Sequence, residues 1–207
     1  MQTSTAIIDY GMGNLGSVRR AFEECGSHAI ITSDPDDIFK ASHIVLPGVG
    51  SFSDGMRNLI TGKWISNISS AVVDHSIPLL GICLGMQLLA DIGHENGKSK
   101  GIGLIPGEVI PLRSKKIDER IPHVGWNEVE IISESTLFDG IPTNSDFYFV
   151  HSYHFKTKDE TYVKGLTPYC GGVSSVIEKG LVAGVQFHPE KSAHFGFQLI
   201  HNFLNTF

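Results

Sequence analysis

The 207-residue chain has little of what several large protein classes need. It holds three cysteines, Cys25, Cys83 and Cys170. An odd number without C-x-x-C spacing makes neither a disulfide framework nor a zinc site, and fits thiols kept reduced in a cytoplasm. Its 10 histidines show no H-x-H or H-E-x-x-H spacing, so no metal is expected. Basic residues are scarce: 16 Lys and Arg stand against 22 Asp and Glu, a net charge of −6 without a basic stripe. Nucleic acid is therefore not an expected partner. No apolar run approaches the ~18 residues of a membrane span, and the first residues enter a strand without a charged and then apolar leader. No membrane association is expected. Linkers, repeats and low-complexity stretches are missing too. What is present is 41% apolar residues, enough for one domain over residues 1–207 with a sizeable core.

The first half alternates strand and helix. Residues 5–9 read as a strand, and Leu15, Val18, Phe22 and Cys25 recur at helical spacing up to Gly26. His28–Thr32 reads as a second strand, 35–41 as a short helix and 44–46 as a third strand. Residues 53–74 read as largely helical with a break at Gly62-Lys63, and 77–82 as a buried central strand. This alternation predicts an α/β fold, a mostly parallel central sheet with helices on both faces. The second half differs. Residues 121–132, 146–156 and 173–187 are strand-like, Glu178-Lys-Gly180 reads as a hairpin turn, and Phe195, Leu199, Ile200 and Phe203 mark a final amphipathic helix. Antiparallel strands are expected there.

Chemistry concentrates in two segments. Pro78-Leu-Leu-Gly-Ile-Cys83-Leu-Gly-Met-Gln87 puts a cysteine at the end of an apolar run, with Gly81 two residues before it and Gly85 two after. That is the G-x-nucleophile-x-G spacing of a strand turning sharply into a helix. A thiolate there gains from the unpaired N–H groups of the helix start. Farther on, His188 and Glu190 stand two apart after the apolar run 181–187, and in an extended segment such residues share a face. Cys83, His188 and Glu190 thus complete a nucleophile, a base and its orienting acid. The Leu84 N–H, next to the nucleophile, is one oxyanion donor; Pro47-Gly48-Val49-Gly50 can supply another from Val49 or Gly50. Gln87, four residues beyond Cys83, shares its helix face. Cys25 and Cys170 read as structural. Gly11-Met-Gly13-Asn14-Leu-Gly16 has a dinucleotide-like spacing but no strand-end acid about twenty residues on, so that reading is set aside.

Gly81-Ile-Cys83-Leu-Gly85-Met-Gln87 and His188-Pro189-Glu190 resemble the motifs of the class I (triad) glutamine amidotransferases. Within that superfamily, four further segments resemble, in this order, the glutaminase subunits of imidazole glycerol phosphate synthases. They are Tyr10-Gly-Met-Gly-Asn14-Leu-Gly-Ser17, Leu46-Pro-Gly-Val-Gly50-Ser-Phe52, Pro122-His-Val-Gly-Trp126-Asn127 and Tyr148-Phe-Val-His151-Ser-Tyr153. The resemblance implies the class I amidotransferase fold and hydrolysis of glutamine to glutamate and ammonia through a Cys83 thioester, without a cofactor. It implies Gly48, Gln87, Ser152 and Tyr153 as glutamine contacts, and a strand at Val49 that switches between inactive and oxyanion-binding arrangements. It further implies a heterodimer with a separate cyclase subunit, a (β/α)8 barrel, met or gated by Asn14, Trp126, Tyr148 and Lys191. His123 and His151, within the same motifs, read either as ordered structural histidines or as binding residues. Two other readings stand beside this one. A paralogous glutaminase subunit could feed a sugar amidotransferase in surface-polysaccharide synthesis, a reading prompted by departures from the subfamily pattern at 93–101 and 169–172. A catalytically silent regulatory subunit is the other, and the intact triad speaks against it.

Overall fold

The computed structural model describes residues 3–117 and 119–207. Its first half runs β1 (Ser4–Ile8), α1 (Leu15–Glu24), β2 (His28–Thr32), β3 (His43–Gly48), α2 (Phe52–Thr61), α3 (Trp64–Val73), β4 (Leu79–Cys83) and α4 (Leu84–Leu88). The short helix expected at 35–41 is a 3-10 turn over Pro35–Lys40, capped by Asp34 accepting from the Asp36 N–H. Lys63, in the left-handed region at φ 59°, separates α2 from α3 where the break was expected. The second half runs β5 (Ile92–Gly93), β6 (Ser99–Lys100), β7 (Gly107–Pro111), β8 (His123–Ile131), β9 (Ser145–His151), β10 (Tyr153–Thr157), β11 (Val163–Thr167), β12 (Val173–Lys179), β13 (Val182–Val185) and α5 (Ala193–Thr206).

The main sheet has the order β2-β1-β3-β4-β13-β12-β11-β8-β9. The first five strands in that order pair in parallel and the rest antiparallel, so the sheet is half of each kind. Parallel strands covered on both faces need apolar residues at every position, which is why all of β4 is buried. Successive side chains feed opposite faces. Ala6, Ile8, Ile44, Leu46 and Leu79 pack with Phe52 and Leu59 of α2 and Trp64 and Ile68 of α3. Ile7, Val45, Leu80 and Ile82 pack instead with Val18 and Phe22 of α1 and Leu199, Ile200 and Phe203 of α5.

One strand-like stretch of the sequence turns out to be two strands. Residues 146–156 leave the main sheet after His151, and β10 joins a second, four-stranded sheet of order β10-β7-β5-β6. Ser152 is the joint. This small sheet escapes a sequence reading because β5 and β6 are two residues each, too short to show a period.

Under the β8–β9 ribbon two imidazoles are buried, with His123 Nδ1 2.9 Å from His151 Nε2. Burial pushes His123 down to about 4. Burial likewise pushes His151 down to about 3, over the opposing Tyr153 hydrogen bond and with the help of neighbouring imidazoles.

Two predictions follow from this packing. A Cβ at Gly85 would collide with the Leu46 carbonyl oxygen, whereas one at Gly16 of α1 meets open space. Gly85→Ala should therefore destabilise by roughly 3 kcal/mol, and Gly16→Ala should be neutral or stabilise by up to about 1 kcal/mol. Equal urea midpoints for the two variants would contradict the packing. The second concerns acid. His123 and His151 are neutral when folded but titrate near 6.5 when unfolded, so below about 6.5 the unfolded chain binds more protons. Stability present at pH 7 is then lost progressively as pH falls from about 6.5 toward 4. His43 and His154, also pushed down by burial, act in the same direction. Glu178, pushed up by burial, opposes them, and His188, whose pKa is raised, adds no slope below about 6.5. The urea midpoint at pH 5 should lie below that at pH 7, and an equal or higher one would refute the assignment.

Candidate active site

At the end of β4 the backbone of Cys83 takes φ 55° and ψ −110°, and α4 begins with the next residue. A non-glycine residue holds such a conformation at a cost of about 1–3 kcal/mol, and only where its surroundings over-determine it. The surroundings here are close contacts across the elbow. A Cβ at Gly81 would lie 2.7 Å from the Met86 nitrogen, and Gly85 packs directly on β3. The buried Cys83 thiol has the Gln186 Nε2 at 3.8 Å and the Val150 carbonyl at 3.9 Å.

His188 follows β13, the strand beside β4. Its N–H donates to the Tyr148 carbonyl at 2.9 Å, and the His188 carbonyl accepts from the Ser192 hydroxyl at 2.6 Å. Pro189–Lys191 is a 3-10 turn, not the extended segment expected, because Pro189 at its first position favours helical φ. Histidine and glutamate therefore meet through a tight turn. His188 Nδ1 lies 2.8 Å from Glu190 Oε1, with both side chains almost wholly buried. That bond keeps the proton on Nδ1 and turns Nε2 to the other side. Burial alone pushes the imidazole down, but the Cys83 thiol and the Glu190 carboxylate outweigh it and raise the pKa to about 10. Nε2 has no hydrogen-bond partner among the described residues, and His188 lines the same cavity as Cys83.

A cavity of about 370 Å³ opens over the thiol. Val49, Gly50, Leu84, Gln87, Ser152 and Tyr153 line it together with Cys83 and His188. Gly48 does not: it ends β3, pairs with Cys83, and has room for no side chain against Tyr10 Oη. Glu190 reaches the cavity only through His188. Gln87 Nε2 donates to the Tyr153 carbonyl and to Gln186 Oε1, each at 2.9 Å, which leaves Gln87 Oε1 as its unused polar atom. Two residues the sequence reading missed belong here. Glu95 lines the cavity and accepts from the Phe52 N–H at the start of α2 at 2.6 Å. No local motif signals it. Gln186 touches the thiol, and its signal was available as the single carboxamide in the apolar run 181–187.

The loop after β1 lies beneath the Pro47–Gly50 segment: a Cβ on Gly50 would come 2.6 Å from Met12 Cε, and Gly13 sits against Pro47. Asn14 precedes α1 without capping it through its side chain. Trp126, Tyr148 and Lys191 gather outside the cavity. The two rings are 6.1 Å apart and Lys191 Nζ is 5.9 Å from the Tyr148 centroid. Strand register sets Trp126 opposite Tyr148 and Val124 opposite Val150, so β8 and β9 present an apolar face. Trp126 is 54% exposed and Val124 57%. Of the other thiols, Cys25 is packed against α5 and pushed up to about 11 by burial, and burial also raises Cys170. Among the described residues no three His, Cys, Asp or Glu side chains converge as metal ligands. No described helix is long and apolar enough to cross a membrane.

Comparison with known proteins agrees with this geometry. The family model of glutamine amidotransferase class-I matches residues 6–206. Imidazole glycerol phosphate synthase subunit HisH 1 of Campylobacter jejuni is 44% identical, and subunits HisH 2 and HisH 1 of Methanococcus maripaludis are 46% and 43% identical. Each alignment covers 96% of this chain and 98% of the relative. Among solved structures, PurLQS from Thermotoga maritima superposes with a TM-score of 0.77 over 99% of both chains at 18% identity, a likeness of fold alone. A strained cysteine elbow beside a buried His–Glu pair, on a sheet of this order and with relatives of this closeness, has one reading: the chain belongs to the class-I glutamine amidotransferases and, among them, to the family of imidazole glycerol phosphate synthase HisH subunits.

Proposed function

We propose that residues 1–207 act as one glutaminase domain, the ammonia-producing subunit of a cytoplasmic imidazole glycerol phosphate synthase in histidine biosynthesis. The observation that carries the reading is the triad geometry in a chain 44% identical over nearly its full length to a HisH subunit. The Cys83 sulfur, its proton held by His188 Nε2, attacks the glutamine side-chain carbonyl carbon. The tetrahedral oxyanion is met by backbone N–H groups of Leu84 and of the Val49–Gly50 segment. Collapse breaks the C–N bond, His188 returns the proton to the leaving ammonia, and a γ-glutamyl thioester remains. Water, deprotonated by His188, then releases glutamate. Glu190 holds the imidazole with Nδ1 protonated throughout. In the cavity, Gln87 Oε1 and the Glu95 carboxylate suit the substrate ammonium, with Ser152 and Tyr153 beside them.

Ammonia passes to a separate cyclase subunit, a (β/α)8 barrel, seated as a heterodimer over the apolar face of Val124, Trp126, Tyr148 and Val150. An aromatic and aliphatic surface whose Val150 also lines the cavity has the composition of an interface core, with Lys191 over the Tyr148 ring at its side. A second reading keeps the chemistry and changes the partner. Methanococcus maripaludis carries two numbered HisH subunits, both similar to this chain, so such subunits occur in duplicate; the second reading has this chain feed ammonia to a sugar amidotransferase instead of the cyclase.

Cys83→Ser and His188→Ala should each lower glutamine hydrolysis by roughly 10⁴-fold or more, and Glu190→Gln by less than His188→Ala. A glutamine-like diazo-ketone should label Cys83, and mass-spectrometric labelling of Cys25 or Cys170 alone would sink the assignment. The isolated chain should be slow, and the cognate cyclase with its phosphorylated substrate should accelerate it by about 10²–10³-fold, the worth of one oxyanion donor. Full activity without a partner would refute that coupling. Activation by a sugar-modifying amidotransferase and not by the cyclase would favour the second reading.

A further inference from the structure

One backbone carbonyl dictates the direction of the hydrogen bonds that end at the nucleophile. The Tyr153 carbonyl oxygen can only accept. It takes one bond from His151 Nδ1 at 2.8 Å and one from Gln87 Nε2 at 2.9 Å. His151 must therefore carry its proton on Nδ1, its Nε2 accepts from His123 Nδ1, and His123 Nε2 accepts from Asn127 Nδ2 at 3.1 Å. On the other branch, turning the Gln87 amide over would set two oxygens against each other at 2.9 Å. Its nitrogen must face Tyr153, so its second hydrogen goes to Gln186 Oε1. The Gln186 amide is then fixed as well, with Nε2 aimed at Cys83 Sγ at 3.8 Å.

Gln186 is completely buried, between Val185 and Phe187, which are also completely buried. A buried amide left unpaired there costs about 1–3 kcal/mol, and an aliphatic side chain would avoid that requirement. A donor fixed on a sulfur that must carry negative charge accounts for the carboxamide, because hydrogen bonds to an ionised partner are about twice as strong as neutral ones. We propose that Gln186 is a further catalytic residue of the glutaminase site: its side-chain N–H stabilises the Cys83 thiolate, and its oxygen turns Gln87 Oε1 toward the substrate ammonium. Gln186 transfers nothing. The sulfur keeps the electron pair and His188 holds the proton. The role rests on the glutaminase reading, but it can be tested without turnover.

The probe is iodoacetamide alkylation of Cys83 in the full chain, followed by mass spectrometry with Cys25 and Cys170 as internal references. Gln186→Met removes the donor at similar volume and should slow alkylation at pH 7 about tenfold. The variant and the unaltered chain should converge at alkaline pH, where every thiol is ionised. Gln186→Glu keeps the acceptor for Gln87 but sets a carboxylate against the sulfur, and should slow alkylation further. A side chain that only fills space would leave the pH profile where it was. For the case in which Gln186→Met does not fold, the unaltered residue is read directly by NMR. With only four glutamines in the chain, the Gln186 side-chain amide protons should shift upfield when Cys83→Ala removes the sulfur. Alkylation of folded Gln186→Met at the unaltered rate, or no glutamine amide responding to Cys83→Ala, overturns the proposal. Absence of hydrolysis with any partner, with slowed alkylation retained, would count against the glutaminase reading and not against the donor.

Discussion

Everything at the site depends on carrying the chain from β4 into α4 through a cysteine at positive φ. The turn is tight enough that Gly85 rests on the Leu46 carbonyl, and this contact locks the start of α4 over β3. β4 lies between β3 and β13 in register, Gly48 beside Cys83 on one side and Val185 beside Ile82 on the other. Three neighbouring parallel strands thereby end together. One supplies the Pro47–Gly50 segment, one Cys83, and one Gln186 and His188. Side chains at the carboxyl ends of parallel strands converge in this way in open α/β sheets generally. Here the elbow sets how closely they do so.

The antiparallel half closes the site from the other side. β9 fastens His188 through the Tyr148 carbonyl and brings Val150 to the thiol. The joint at Ser152 then sends the chain into the small sheet, and this change of direction brings the Tyr153 carbonyl above Gln87. A straight strand over 146–156 would have carried Tyr153 along the main sheet and away from α4. The second sheet therefore has a positional use despite its short strands: β7 pairs β10 along its whole length and holds the joint open.

The sequence made the parallel half readable because burial on both faces leaves uninterrupted apolar runs, as in 77–82, and because the Gly81–Cys83–Gly85 spacing is a local steric requirement. His188 and Glu190 were readable as a pair, though the geometry joining them is a proline-started turn and not a strand. Glu95 was not readable, since what brings it to the cavity is a bond to the first N–H of α2 more than forty residues away in sequence. The segments 93–101 and 169–172 stood out only as departures from a pattern. In the structure the first carries Glu95, and Tyr169 of the second stacks on His123 at 3.9 Å between centroids. Long-range packing of this kind leaves no period in the chain.

On the proposed reading, the structure also restricts where a partner can act. The His188–Glu190 bond is short, buried and assembled within this chain alone, and its anchors on β9 leave it little freedom. The backbone at the cavity mouth is different. Val49 is 43% exposed, Gly50 lies at φ 116°, and the loop beneath them contributes Met12 and leads to Asn14. Val150 of the Trp126 face lines the same cavity as Val49 and Gly50, so a protein seated on that face comes to this segment. The oxyanion donors are then the part of the machinery that a partner can complete, while nucleophile and base stay ready. Such a division keeps ammonia production low until the acceptor subunit is in place, and it does so without distorting the elbow on which the whole site rests.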